Sequence, residues 1–144
     1  MKWYVYSLRK YAVFKGRASR REHWTFELTN VAIELTLFVA VVMLARVGFE
    51  YLVDLLYLYI AATTVPSLAS LVRRLHDTNH SGWWFFISLV PLVGPLILFS
   101  MTVTRSDPGQ NRFGPNPYQQ STTDTPVGPD MGYLAPPIDQ RDYR

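Results

Sequence analysis

Three apolar runs, each long enough to cross a lipid bilayer, decide what this chain can become. Trp24 to Ala45 covers 22 residues and is interrupted by Glu27, Asn30 and Glu34. Tyr51 to Val72 covers another 22, broken by Asp54 and Pro66, and Trp83 to Val103 covers 21 with no charged side chain. Roughly 20 such residues, rising ~1.5 Å each, match a hydrocarbon core of ~30 Å. In a chain of 144 residues the remaining polar sequence is too short to wrap three such runs in water. A soluble bundle would also need a wet side on every helix, and the third run has none. The expected fold is all-α: an integral membrane helical bundle with three transmembrane helices near 24–46, 51–72 and 83–103. Pro91, Gly94 and Pro95 fall inside the third run. They permit either a kinked full span or two half-helices that enter and return. Half-helices of about eight residues cover only ~12 Å and need protein around them, so the kinked span is the expectation.

Ahead of the first run the chain is aromatic and basic. On a helix, Trp3, Tyr4, Leu8, Tyr11 and Phe14 share one broad arc, which predicts an interfacial helix over 3–14 lying in the headgroup layer. Met1 to His23 lacks the apolar centre of a cleavable signal peptide, so none is expected. Gly16 and Ser19 mark a break before the first span. Charge is segregated along the chain: residues 1–24 hold seven basic side chains against the one acid Glu22. The second inter-helix loop offers Arg73 and Arg74 with His76 and His80, the first only Arg46. The positive-inside rule therefore puts the N-terminus and the second loop in the cytoplasm and the 47–50 turn outside. Three full spans then send the C-terminal tail outside, although Arg105 and Arg112 beside the last span favour the cytoplasm. From Arg105 onward come seven of the ten prolines and four of the eight glycines. Residues 1–117 thus read as one membrane domain closed by a turn-rich segment at 105–117, and 118–144 as a disordered tail.

Several motifs in order along the chain carry a resemblance. They are Phe14-Lys15-Gly16-Arg17-Ala18-Ser19-Arg20-Arg21-Glu22-His23-Trp24, Arg73-Arg74-Leu75-His76-Asp77, Ser81-Gly82-Trp83-Trp84, Pro91 to Gly94, and Asn111-Arg112-Phe113-Gly114-Pro115-Asn116-Pro117. Over about residues 1–117 the sequence resembles the YhaH-type family of small bacterial inner-membrane proteins, a domain of unknown function. The resemblance implies a multi-span protein of the bacterial inner membrane, in which the outside predicted for the tail by three spans is the periplasm. It implies no reaction, substrate or site residues.

The chemistry must therefore be read from the residues. His23, Glu27, Asn30 and Glu34 fall within a stripe of about 60° on the first helix, reaching ~16 Å along its axis. Thr63, Ser67, Ser70 and Arg74 form a matching stripe on the second. Lipid offers such groups no hydrogen bonds, so the two stripes are expected to face each other, with Glu27 paired to Arg74 or Arg73. The plain role of the stripe is interhelical pairing; its functional role would make Glu34 a proton- or cation-binding site. Lys15, Arg17, Arg20, Arg21 and Arg73 are expected at anionic lipid headgroups, each contributing ~1 kcal/mol near a charged leaflet. His76, Asp77 and His80 invite a metal or catalytic reading. The loop-like Asn79-His80-Ser81-Gly82 weighs against it, leaving Asp77 and Ser81 as helix caps. Asn111, Arg112 and Phe113 belong to a stiff turn that plants one aromatic against the headgroups or the end of the bundle.

The absence of cysteine excludes disulfides and thiolate chemistry. No catalytic Ser–His–Asp spacing, phosphate loop or paired catalytic carboxylates stand out, and no nucleic-acid-binding motif is present. No enzyme activity, metal or cofactor is expected. The favoured function is a non-enzymatic membrane scaffold or interaction protein contacting anionic lipid or a partner membrane protein. The alternative is a small transporter or channel subunit using Glu34, which would have to form a homo-oligomer because three helices rarely enclose a pathway.

Overall fold

A computed structural model of the chain describes residues 2–44, 48 and 52–118. The expected ends of the first span at 45–46 and of the second at 51, and the tail at 119–144, lie outside the described residues. The described elements are helical: α1 (Lys2–Arg9), α2 (Arg20–Leu44), α3 (Leu52–Asp77), a 3₁₀ helix (Gly82–Leu89) and α4 (Val93–Val103).

α2 begins where Ser19 supplies an N-cap, its hydroxyl accepting the Glu22 N–H at 3.1 Å. With 25 and 26 residues, α2 and α3 are long and apolar enough to cross a membrane, at ~37 and ~39 Å by helical rise. Both overrun their apolar stretches by a turn or more, so Arg20 to His23 and Arg73 to Asp77 stand on helical backbone rather than in loops. The two helices pack against each other, but few apolar side chains are buried between elements: Ala18, Phe26, Ala69 and Leu75 among the described residues. Leu28, Val31, Leu35 and Phe38 on α2 and Leu55 and Leu58 on α3 face outward. That is the distribution a lipid solvent permits and water does not.

Pro66 sits inside α3 and is buried. Its missing N–H leaves the carbonyl of Ala62, four residues earlier, without an intrahelical donor. The Tyr11 hydroxyl supplies one at 2.7 Å. α1 is shorter than the expected 3–14, stopping at Arg9, because the chain tightens there: the Lys10 N–H bonds Ser7 O at 3.1 Å and the Val13 N–H bonds Lys10 O at 3.1 Å. Gly16 then turns it at φ +89°, a region open to glycine. α1 docks on the long helices. Its Tyr4 ring stacks on Phe26 at 5.2 Å, and its hydroxyl meets Asn30 Oδ1 at 3.3 Å.

The third apolar run is not the continuous helix expected over 83–103. Ser81 caps the 3₁₀ helix, which ends at Leu89. Pro91 and Leu92 make a turn, and Leu92 takes a φ of 65°, unusual for a branched side chain. α4 then packs back on the 3₁₀ helix so closely that a Cβ on Gly94 would lie 1.8 Å from the Ile87 carbonyl oxygen. Where the two arms end, the Asp107 N–H bonds the Asp77 carbonyl at 3.1 Å. A full crossing would separate those residues by a bilayer core of ~30 Å. The kinked third span is therefore corrected to a hairpin that leaves and returns at one level, the sequence having carried the proline and glycine signals for the break but not its direction.

Candidate functional site

Two polar assemblies stand out, a buried ionic cap where the chain's turns converge and a groove between α2 and α3. The cap is organised by Asp77, at the C-terminus of α3. A carboxylate there opposes the negative end of the helix dipole and needs strong compensation. Arg17 Nε pairs with Asp77 Oδ1 at 2.9 Å, Arg74 binds Oδ2, and the Ser106 hydroxyl donates to the same oxygen. Alongside, Arg73 Nη1 pairs with Glu22 Oε1 at 2.8 Å. All five charged residues are buried. Three guanidinium groups thus share two carboxylates, and backbone carbonyls absorb the excess. Arg17 donates to the oxygens of Asp107 at 2.8 Å and Gly109 at 2.6 Å. Arg74 donates to Thr102 at 2.9 Å and also to Thr104, and Arg20 approaches Val103 O at 3.5 Å. The carbonyls at the end of α4 have no intrahelical donors of their own, so these arginines satisfy them.

The headgroup expectation is corrected for two residues. Arg17 and Arg73 are buried in ion pairs inside the cap, because each finds a carboxylate and carbonyls at contact distance that outweigh a solvated headgroup. Lys15 and Arg21 are exposed and Arg20 half-buried. The pairing expectation is corrected as well: Arg73 takes Glu22 and Arg74 takes Asp77, and neither takes Glu27. Asp77 is an ion-pair centre rather than a cap, whereas Ser81 does cap.

The turn motif closes over this assembly. Asn111 and Gly114 exchange backbone hydrogen bonds, and Asn111 Nδ2 donates to His76 O at 2.9 Å. That places the Phe113 ring flat on His76, centroids 3.8 Å apart, with the Arg112 guanidinium 4.7 Å from the Phe113 centroid. His76 and His80 do not converge: His76 Nδ1 meets Gly16 O at 3.2 Å and His80 Nδ1 meets Thr78 Oγ1 at 3.1 Å. On α1, Lys10 Nζ lies 4.3 Å from the Tyr6 centroid. Burial, reinforced by Glu22, pushes the Tyr6 phenol up to about 12. Burial lowers the Lys10 ammonium, against the pull of Glu22.

The polar stripes meet over part of their length. His23 Nδ1 and Ser70 Oγ are 3.0 Å apart. Deeper, Asn30 Oδ1 accepts from Tyr59 at 2.8 Å, a partner absent from both stripes. Thr63 spends its hydroxyl on its own helix, at Tyr59 O. Alongside these contacts lies a groove of 550 Å³ whose polar wall is His23, Glu27, Glu34, Thr63, Thr64 and Ser67. Glu27 Oε1 is buried there without a hydrogen-bond partner, 4.0 Å from His23 Nδ1.

Sequence reading missed Glu22, Tyr4, Tyr59 and Ser106 as partners. For Glu22 a signal existed: Ser19-Arg20-Arg21-Glu22 has the capping-box pattern, with the glutamate side chain diverted to Arg73. Nothing local marked Tyr59, whose role depends on the depth at which two helices meet.

Comparison with known proteins finds relatives of this chain. Inner membrane protein YhaH of Escherichia coli K12 is 39% identical over 119 residues, covering 81% of this chain and 97% of that protein. Inner membrane protein YhaI of the same strain is 41% identical over 117 residues, covering 81% and 96%. No solved structure matches the chain significantly. A family model matches residues 11–115, a stretch that holds the cap, the groove and the hairpin. The chain therefore belongs to that family, described as a protein of unknown function (DUF805).

Proposed function

We propose that the protein is a non-enzymatic scaffold or interaction protein of the bacterial inner membrane, built on two spans and a hairpin dipping into one leaflet. The observation that carries this reading is the ionic cap. Arg17, Glu22, Arg73, Arg74 and Asp77, the charged side chains a catalytic centre would draw on, are all engaged with one another and with backbone. They hold the ends of α2, α3 and the hairpin in one unit, both carboxylates of the cap being spent on guanidinium groups. The outward apolar faces of α2 and α3 then meet lipid, a partner membrane protein or a second copy. Lys15, Arg20 and Arg21 lie where anionic headgroups pass, each basic side chain contributing ~1 kcal/mol. The names of the relatives support the inner membrane as the location.

With Asp107 bonded to Asp77, the basic N-terminal segment, residues 78–81 and residues 105–117 share one side, the cytoplasmic one by their charge. Reporter fusions after residues 48, 79 and 117 are expected to read outside, inside and inside. An outside reading at 117 would restore three spans and put the tail in the periplasm.

The groove favours one second reading, an oligomeric transporter or channel subunit in which Glu34 carries a proton or cation. Purified protein in liposomes is expected to show no pH-driven flux. A flux that disappears in Glu34→Gln while thermal stability is kept would replace the scaffold with the transporter.

A further inference from the structure

The groove between α2 and α3 has a chemistry that the cap does not share. Its 550 Å³ lies within the ~300–1,000 Å³ usual for small-molecule sites. Apart from its polar wall it is lined by Trp24, Ile60, Leu68, Leu71 and Phe85, so its body is apolar and partly aromatic. Its charges are of one sign. Glu27 and Glu34 both line it, and neither lysine nor arginine does. The nearest arginines along α3, Arg73 and Arg74, are held by Glu22 and Asp77. His23 approaches Glu27, but its Nδ1 is already at hydrogen-bond distance from Ser70. Ser67 hydrogen-bonds the Glu27 carboxyl, but Oε1 is buried with no hydrogen-bond partner, and a carboxylate at membrane depth is costly without a counter-charge.

The geometry limits which cation. Glu27 and Glu34 are two helical turns apart, ~10 Å along the axis. A bare metal ion gathers its oxygens within ~2.6 Å, so these two carboxylates do not share one. An organic cation with a hydrophobic body meets the wall on its own terms: charge at a carboxylate, hydrocarbon against leucine and isoleucine, and cationic face against Trp24 or Phe85. We infer that the groove is a binding site for a lipophilic organic cation, with Glu27 as the principal counter-charge and Glu34 as the deeper one. The site is a further property of the molecule and does not rest on the scaffold reading: binding without flux satisfies both, and the absence of both binding and flux removes this inference alone.

The test uses the full chain in phosphatidylcholine nanodiscs, with tetraphenylphosphonium as the cationic probe and triphenylphosphine oxide as an uncharged aryl probe. Saturable binding of the cation is expected, at least about tenfold tighter than the uncharged probe. Glu27→Gln is expected to erase that preference by a similar factor while the thermal unfolding profile stays in place. Should Glu27→Gln fail to fold, Thr64→Phe fills the groove from an exposed position on α3 and is expected to abolish cation binding. Equal affinity for the two probes, or undiminished cation binding in a folded Glu27→Gln or Thr64→Phe protein, overturns the site.

Discussion

Asp77→Ala is expected to cost about 3–5 kcal/mol of stability, the usual penalty for breaking a buried ion pair by removing one partner. The size follows from what remains. Arg17 and Arg74 would stay buried at the end of α3 with no carboxylate between them, their charge opposed by backbone carbonyl dipoles such as those of Thr102, Thr104, Asp107 and Gly109. The Ser106 hydroxyl would also lose its acceptor. Asp77→Asn keeps an acceptor for Ser106 while removing the charge, so its loss is expected to fall between that of alanine and the wild type. Thermal unfolding in nanodiscs ranks the three. A loss for Asp77→Ala below about 1 kcal/mol, the level of an exposed salt bridge, would mean that water reaches the cap and that it does not hold the helices together.

Gly94→Ala is expected to open the hairpin. The added methyl would sit 1.8 Å from the Ile87 carbonyl oxygen, and because the obstacle is backbone, no rotamer relieves it. Overpacking costs about 1–3 kcal/mol where side chains can shift, and here the loss should lie at or above the top of that range. Since the chain has no cysteine, a single one placed at Thr102, buried in the last turn of α4, reports hairpin opening cleanly. Its labelling by a water-soluble maleimide is expected to rise in the Gly94→Ala background. Unchanged labelling together with unchanged stability would show that the two arms do not pack as described. A neighbouring substitution with an open surrounding, such as Leu96→Ala on an exposed face of α4, serves as the control and should move neither readout.

The two long helices were legible because apolar length is a direct measure of transfer into lipid, and nothing in the tertiary structure revises it. The third run was legible as apolar but not as a hairpin, since 21 residues that satisfy a crossing satisfy a return equally well. What decides between them is Arg74 and Arg17 pulling the end of α4 and the residues after it back to Asp77, and contacts between residues 28 to 92 positions apart leave no periodic trace. Ion pairing failed for a related reason. The stripe points to Glu27 because it aligns with His23, Asn30 and Glu34, whereas the acid that meets Arg73 is Glu22, about 100° round the helix from His23. The stripe described the groove better than the interface. It gathered the groove's His23, Glu27, Glu34, Thr63 and Ser67, and its His23 and Ser70 do meet across the helices, while Asn30 is paired to Tyr59, which the stripe had no reason to include.

The cap also sets the order in which the molecule is made. Arg17 leaves the ribosome first, Asp77 follows sixty residues later, and the Gly109 carbonyl that completes the guanidinium's coordination comes last. Until then the carboxylate at the end of α3 has its neighbour Arg74 but not Ser106. Closure of the cap therefore cannot precede synthesis of residues 106–109. A nascent chain halted before residue 105 would hold both long apolar helices with the end of α3 unsealed.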